Sequence, residues 1–153
     1  MREGILSQHT CKAVVLACID FRFGCARLSH ALKEAYNLHD NEYDVIALPG
    51  GAQNVTQYAF AQDHKDAMRR ALEVAIDLHH VESIIALSHQ NCGALKAIGR
   101  TFGAEEASAE TVFHEDLLAE ARDTLASLWP ALKIEVGYLC VPDGEHVMLH
   151  KVG

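Results

Sequence analysis

His89 and Cys92 stand three residues apart in Ser88-His89-Gln90-Asn91-Cys92-Gly93, directly after the apolar run Ser83 to Leu87. In a turn, that spacing lets an imidazole and a thiolate reach one ion. Cys92 also falls at the start of a helical stretch, Gly93 to Ile98. There, free amide groups and the positive end of the helix dipole favour thiolate over thiol. Sulfur and nitrogen donors suit zinc, which takes four ligands in a tetrahedron, so one Cys and one His are too few. A second apolar run, Lys12 to Cys18, leads into Cys18-Ile19-Asp20-Phe21-Arg22. In extended chain Cys18 and Asp20 project to one side and Ile19 to the other. If the two runs are neighbouring strands, Cys18 comes alongside His89 and Cys92. The result is a Cys₂His set for one zinc per chain, with a fourth position for water or for Asp20 itself.

Each piece alone has an ordinary explanation. A lone buried Cys is usually a small hydrophobe, short patterns such as His-x-x-Cys recur by chance, and an Asp near an Arg is more often a structural ion pair. Joint placement changes the weighing: each element follows an apolar strand, and open α/β sheets bind ligands beyond the carboxyl ends of their strands. Cys11, Cys25 and Cys140 have no such placement and read as packing or incidental thiols, and the adjacent His79 and His80 read as surface residues. Gly50-Gly51 follows a third run, Tyr43 to Leu48, but lacks the P-loop lysine and the dinucleotide-binding spacing. A tight turn or a close backbone approach is the expected reason for it.

The elements that must position these residues can be read coarsely. The runs Lys12 to Cys18, Tyr43 to Leu48 and Ser83 to Leu87 are nearly continuous in hydrophobicity, as in strands buried on both faces of a parallel sheet. A fourth run, Ile134 to Val141, is followed by Pro142-Asp143-Gly144 and another apolar run, which predicts a hairpin at a sheet edge. Helical spacing of apolar residues marks Arg27 to Tyr36, part of Ala52 to His79, Cys92 to Ile98, and His114 to Leu128, the last ended by Pro130. Strands alternating with helices predict an α/β fold. Its central sheet is mostly parallel, with about four to five strands flanked by helices, in one domain over residues 1–153.

Bulk composition narrows the function classes. The 153 residues are 50% hydrophobic and 22% charged, a globular balance. Net charge is −8 and the 13 Lys and Arg residues are scattered, so nucleic acid is set aside as a partner. The apolar stretch Ala13 to Ile19 is too short to span a bilayer and lacks a signal-peptide cleavage pattern, so no membrane role is expected. Five cysteines, an odd number, argue against a disulfide framework and for a reducing, cytoplasmic setting.

At this point the residues resemble a known family. Cys18-Ile19-Asp20-Phe21-Arg22 is similar to the Cys-x-Asp-Ser-Arg motif of the β-class carbonic anhydrases, and Ser88 to Ala94 to their His-x-x-Cys-Gly motif, in the family's order. Pro49-Gly50-Gly51-Ala52 sits where that family has its Arg-Asn-Ala-Gly loop, and Gly137 to Gly144 resembles its last strand and hairpin. The likeness runs from about Lys12 to Val147. It implies that Cys18, His89 and Cys92 ligate zinc and that Asp20 and Arg22 form the pair beside the metal. It also implies that a hydroxide generated at the metal hydrates CO₂ to bicarbonate, and that the chain assembles as a homodimer or higher oligomer with sites near the interface.

The chain also departs from that pattern. Phe21 replaces a Ser, and Leu48 and Pro49 replace the Arg and Asn of the loop. A more apolar pocket would suit a hydrolase acting on carbonyl sulfide or carbon disulfide. A tetrahedron closed by Asp20 would make the protein a silent scaffold or regulatory module.

Overall fold

The computed structural model describes residues 8–153. Its strands are β1 (Ala13–Ala17), β2 (Tyr43–Ala47), β3 (Ser83–His89), β4 (Lys133–Cys140) and β5 (Met148–Val152). They form one sheet in the order β2-β1-β3-β4-β5. The first four run parallel, and β5 pairs antiparallel with β4. Four helices connect them: α1 (Cys25–Tyr36), α2 (Gln62–His79), α3 (Gly93–Ala97) and α4 (Ala107–Leu128). This is the mostly parallel α/β sheet with an antiparallel C-terminal edge that the sequence pattern predicts.

The alternation of side chains along the central strands divides the core in two. Val14 and Leu16 of β1, Ile84 and Ala86 of β3, and Val136 and Tyr138 of β4 face Met68 and Leu72 of α2 and Leu117, Leu118 and Leu125 of α4. Ala13, Val15, Ala17, Ile85, Leu87 and Leu139 face the other way, onto Leu28, Ala31 and Leu32 of α1. Residues on both faces are apolar because both faces are covered. β1 sits between β2 and β3, so the chain leaves β1 in one direction through α1 and crosses back past it through α2. The carboxyl ends of β1 and β3 therefore flank the point where the winding reverses, the crevice in which sheets of this kind place ligands.

Two elements differ from their sequence expectation. β2 is an edge strand, and Val45 at its centre is 46% exposed; its apolar run reflects one covered face, not two. Helix α4 begins at Ala107 rather than His114, because Glu110 and His114 lie on its buried side and hide the apolar stripe from the pattern. Among the described residues, no helix is long and apolar enough to cross a membrane.

Candidate metal centre

Cys18 follows β1 by one residue, His89 closes β3, and Cys92 caps the N-terminus of α3. Parallel pairing sets Ala13 opposite Ser83 and Leu16 opposite Ala86, which brings the two strand ends level. One ligating atom from each of Cys18, His89 and Cys92 then lies within 4.8 Å of the other two. Cys92 and His89 are buried, and Cys18 is half-buried.

His89 is prepared as a donor. Its Nδ1 lies 2.7 Å from the Gln90 carbonyl, an acceptor, so Nδ1 carries the proton and Nε2 keeps a lone pair. That buried Nε2 has no hydrogen-bond partner among the described residues. Phe23 packs against the imidazole with ring centroids 4.7 Å apart, and fixes its plane. An oriented, buried nitrogen lone pair beside two sulfurs fits a metal ligand, whose second ring nitrogen is normally held in this way.

The sulfurs fit the same role. A hydrogen bond from Cys92 holds Cys18 well below the ordinary thiol range, with further help from the Gly50 N–H, which donates at 3.2 Å. Cys92 is pushed up by its bond to Cys18 and by burial. The opposed shifts share their largest cause, the short approach of the two sulfurs, of which only one ionises readily while the other stays a thiol. A divalent cation between them lets both ionise, which is how metal binding couples to thiol deprotonation.

The loop after β2 approaches the site closely. Gly51 has φ +53°, and a Cβ there would lie 2.6 Å from the Leu87 carbonyl oxygen and 2.9 Å from the Cys18 nitrogen. Both the turn and the close approach expected of Gly50-Gly51 are present, and only glycine satisfies both. Fully buried Asn54 braces the loop, its Nδ2 donating to the carbonyls of Pro49 at 2.8 Å and Gly51 at 3.1 Å.

Asp20 and Arg22 form a two-pronged pair: Arg22 Nε donates to Oδ1 at 2.9 Å and Nη2 to Oδ2 at 2.6 Å. The guanidinium holds the Asp20 carboxyl down to about 2. Asp20 Oδ2 is 3.7 Å from His89 Nε2, at the margin of the Cys18, His89 and Cys92 cluster. Arg22 Nη2 also donates to the Asn91 carbonyl at 3.0 Å. Phe21 is 89% exposed and Ile19 62% exposed, so the bulk that replaces the family's Ser faces outward from this chain, not into the crevice. Leu48 packs into the core.

Several residues that support the site were not singled out in the sequence. The Asn91 N–H donates to Glu110 Oε1, and His114 Nδ1 lies 2.9 Å from the hydroxyl of buried Ser88. Burial lowers the His114 pKa, which keeps the ring neutral. Burial works to raise the Glu110 carboxyl, but contacts with His114 and the Asn91 N–H outweigh it and leave it lowered. The i, i+4 spacing of Glu110 and His114 was visible, but nothing in the sequence distinguished it from a solvated face.

Comparison with known proteins agrees with this geometry. An uncharacterized protein of Rickettsia bellii is 26% identical over 133 residues, which cover 87% of this chain and 79% of that one. A carbonic anhydrase from Glaciozyma antarctica superposes with a TM-score of 0.60 at 17% identity, over 99% of this chain and 89% of the other. One of two tetrameric β-carbonic anhydrases from Sordaria macrospora gives 0.55 at 12% identity, over 97% and 84%. At such identities these structures establish the shared fold. The family model described as "Putative carbonic anhydrase" matches residues 8–140, and the chain therefore belongs to that family.

Proposed function

We propose that this protein is a zinc enzyme that interconverts CO₂ and bicarbonate, with Cys18, His89 and Cys92 as the metal ligands. The observation that carries this reading is the convergence of two sulfurs with the unpartnered, buried Nε2 of His89. When bound, zinc supplies a Lewis-acidic centre that brings the pKa of a coordinated water down to about 7. The chain's own residues do the rest. The Gln90 carbonyl and Phe23 hold His89 in the ligating tautomer and plane, and Gly50 donates to Cys18.

Asp20, with its carboxyl at about 2, is too weak a base to take a proton at neutral pH. Its role is to accept a hydrogen bond from the attacking water and so aim it at CO₂. Arg22 grips both carboxylate oxygens, which holds Asp20 in place beside Cys18, His89 and Cys92 and favours an orienting role over metal ligation. Phe21 faces solvent, so the apolar pocket argued for a sulfur-containing substrate rests on Leu48 and Pro49 without it. Exposed Phe21 and Ile19 beside the crevice suit burial against a second copy of the chain, in keeping with a homodimer or higher assembly acting in the cytoplasm.

The test is stopped-flow CO₂ hydration on zinc-loaded wild type, Cys92→Ser and Asp20→Asn. Hydration by wild type, lost with the metal in Cys92→Ser and reduced in Asp20→Asn with the metal retained, is the expected result. A zinc-loaded wild type without hydration activity would overturn the reading.

A further inference from the structure

A second group of metal-type donors lies at the opposite end of the sheet. Cys11 sits two residues before β1, Asp44 is the second residue of β2, and His79 is the last residue of α2. One donor atom from each lies within 4.8 Å of the other two. His79 Nδ1 is 2.6 Å from Asp44 Oδ2. All three side chains are half-buried, and they line a shallow pocket with His9, Asn41 and Tyr43. Seven residues of nearly extended chain separate Cys11 from Cys18, which puts this cluster roughly 20 Å from the first.

We propose that Cys11, Asp44 and His79 form a second site for a borderline divalent cation of the zinc class, independent of the function proposed for the first. Thiolate, imidazole and carboxylate together match zinc, whereas magnesium and calcium take oxygen ligands alone. Donors on a tetrahedral ion with bonds of about 2.0–2.3 Å lie roughly 3.2–3.8 Å apart. The cluster therefore needs only to open the His79–Asp44 contact and draw Cys11 in.

Backbone order favours this placement. The Cys11 N–H donates to the His79 carbonyl at 3.2 Å, so the ligand-bearing segment is already tied to the C-terminal end of α2. That end of an 18-residue helix carries the negative pole of its dipole and favours a cation. Three protein ligands leave a position for water or His9, so the ion is exchangeable. Loaded, it joins the segment before β1, the edge strand β2 and the end of α2, and its role is structural or responsive to metal supply.

The experiment is a Zn²⁺ titration of the full chain already carrying one equivalent, followed by calorimetry and by mass-spectrometric mapping of iodoacetamide labelling. The expected result is a second, weaker equivalent that protects Cys11 but not exposed Cys25. Cys11→Ser and His79→Gln should each weaken that equivalent by at least about tenfold, and Cys92→Ser should lose the first equivalent while keeping the second. Labelling of the unaltered chain needs no variant to fold. A wild type that takes up one equivalent only, Cys11 labelling indifferent to Zn²⁺, or a second equivalent unchanged in both Cys11→Ser and His79→Gln would each overturn the proposal.

Discussion

Arg22 Nη2 donates to the Asn91 carbonyl at 3.0 Å while the same guanidinium grips Asp20. The residue that fixes the carboxylate beside the proposed metal site thus also fixes the turn between His89 and Cys92. From the other side, Glu110 of α4 accepts the Asn91 N–H. Asn91 has φ +55°, a left-handed conformation that asparagine tolerates better than most residues other than glycine. The turn bearing two of the three proposed ligands is therefore clamped at both polar groups of one residue, Asn91.

Arg22→Lys keeps the charge but removes the planar fork, so it cannot hold Asp20 at two points and Asn91 at a third. CO₂ hydration is expected to fall by at least about tenfold, with zinc content close to that of wild type. Unchanged turnover, measured by stopped flow, would show that the fork has no part in the reaction.

Glu110→Ala leaves the Asn91 N–H without its acceptor and an unpaired cavity beside His114. Loss of such outer contacts typically weakens metal affinity by about 10–100-fold, and a competition titration against a chromophoric chelator measures it. Affinity equal to wild type would mean that Arg22 alone secures the turn.

Gly51→Ala combines a positive φ with a Cβ placed against the backbone of Leu87 and Cys18. The expected loss is about 2–4 kcal/mol, or roughly 5–15 °C in Tm for a chain of this size, with weaker metal retention because Cys18 is displaced. Thermal unfolding with and without chelator separates the two effects. Gly144→Ala shares the positive φ, but its Cβ would meet no atom of the described residues within 4 Å, and it is expected to cost less.

The pH dependence of the Asp20–Arg22 pair has a definite sign. The Asp20 carboxyl is lowered to about 2 in the folded chain, against about 3.9 when unfolded. The pair therefore stabilises fully above roughly pH 4, and its contribution is lost as pH falls toward 2. In metal-free protein, the stability gap between wild type and Asp20→Asn is expected to be constant from neutral pH down to about 5 and to narrow below 4. Urea unfolding across that range measures it. A gap that widens on acidification would contradict the assignment.

How far the sequence carried can be judged residue by residue. Cys18, Asp20, Arg22, His89 and Cys92 were legible because each follows an apolar strand, and strand adjacency is all their convergence requires. Gly50-Gly51 was legible as a turn. The edge position of β2 was not, since an apolar run does not tell one covered face from two. Glu110, Ser88 and His114 were hidden for a related reason: a polar residue on a helix or strand reads as solvated until the partner that satisfies it is known. Cys11, Asp44 and His79 lie far apart in the chain, and only the level starts of β1 and β2 and the end of α2 bring them together.

X-ray absorption at the zinc edge, on protein loaded with a single equivalent, tests the central claim most directly. Two sulfur neighbours at about 2.3 Å and at least one nitrogen neighbour at about 2.0 Å are predicted for the set of Cys18, Cys92 and His89. A single sulfur would place the ion at the other cluster, and none would leave both sulfurs outside the site; either result contradicts the account.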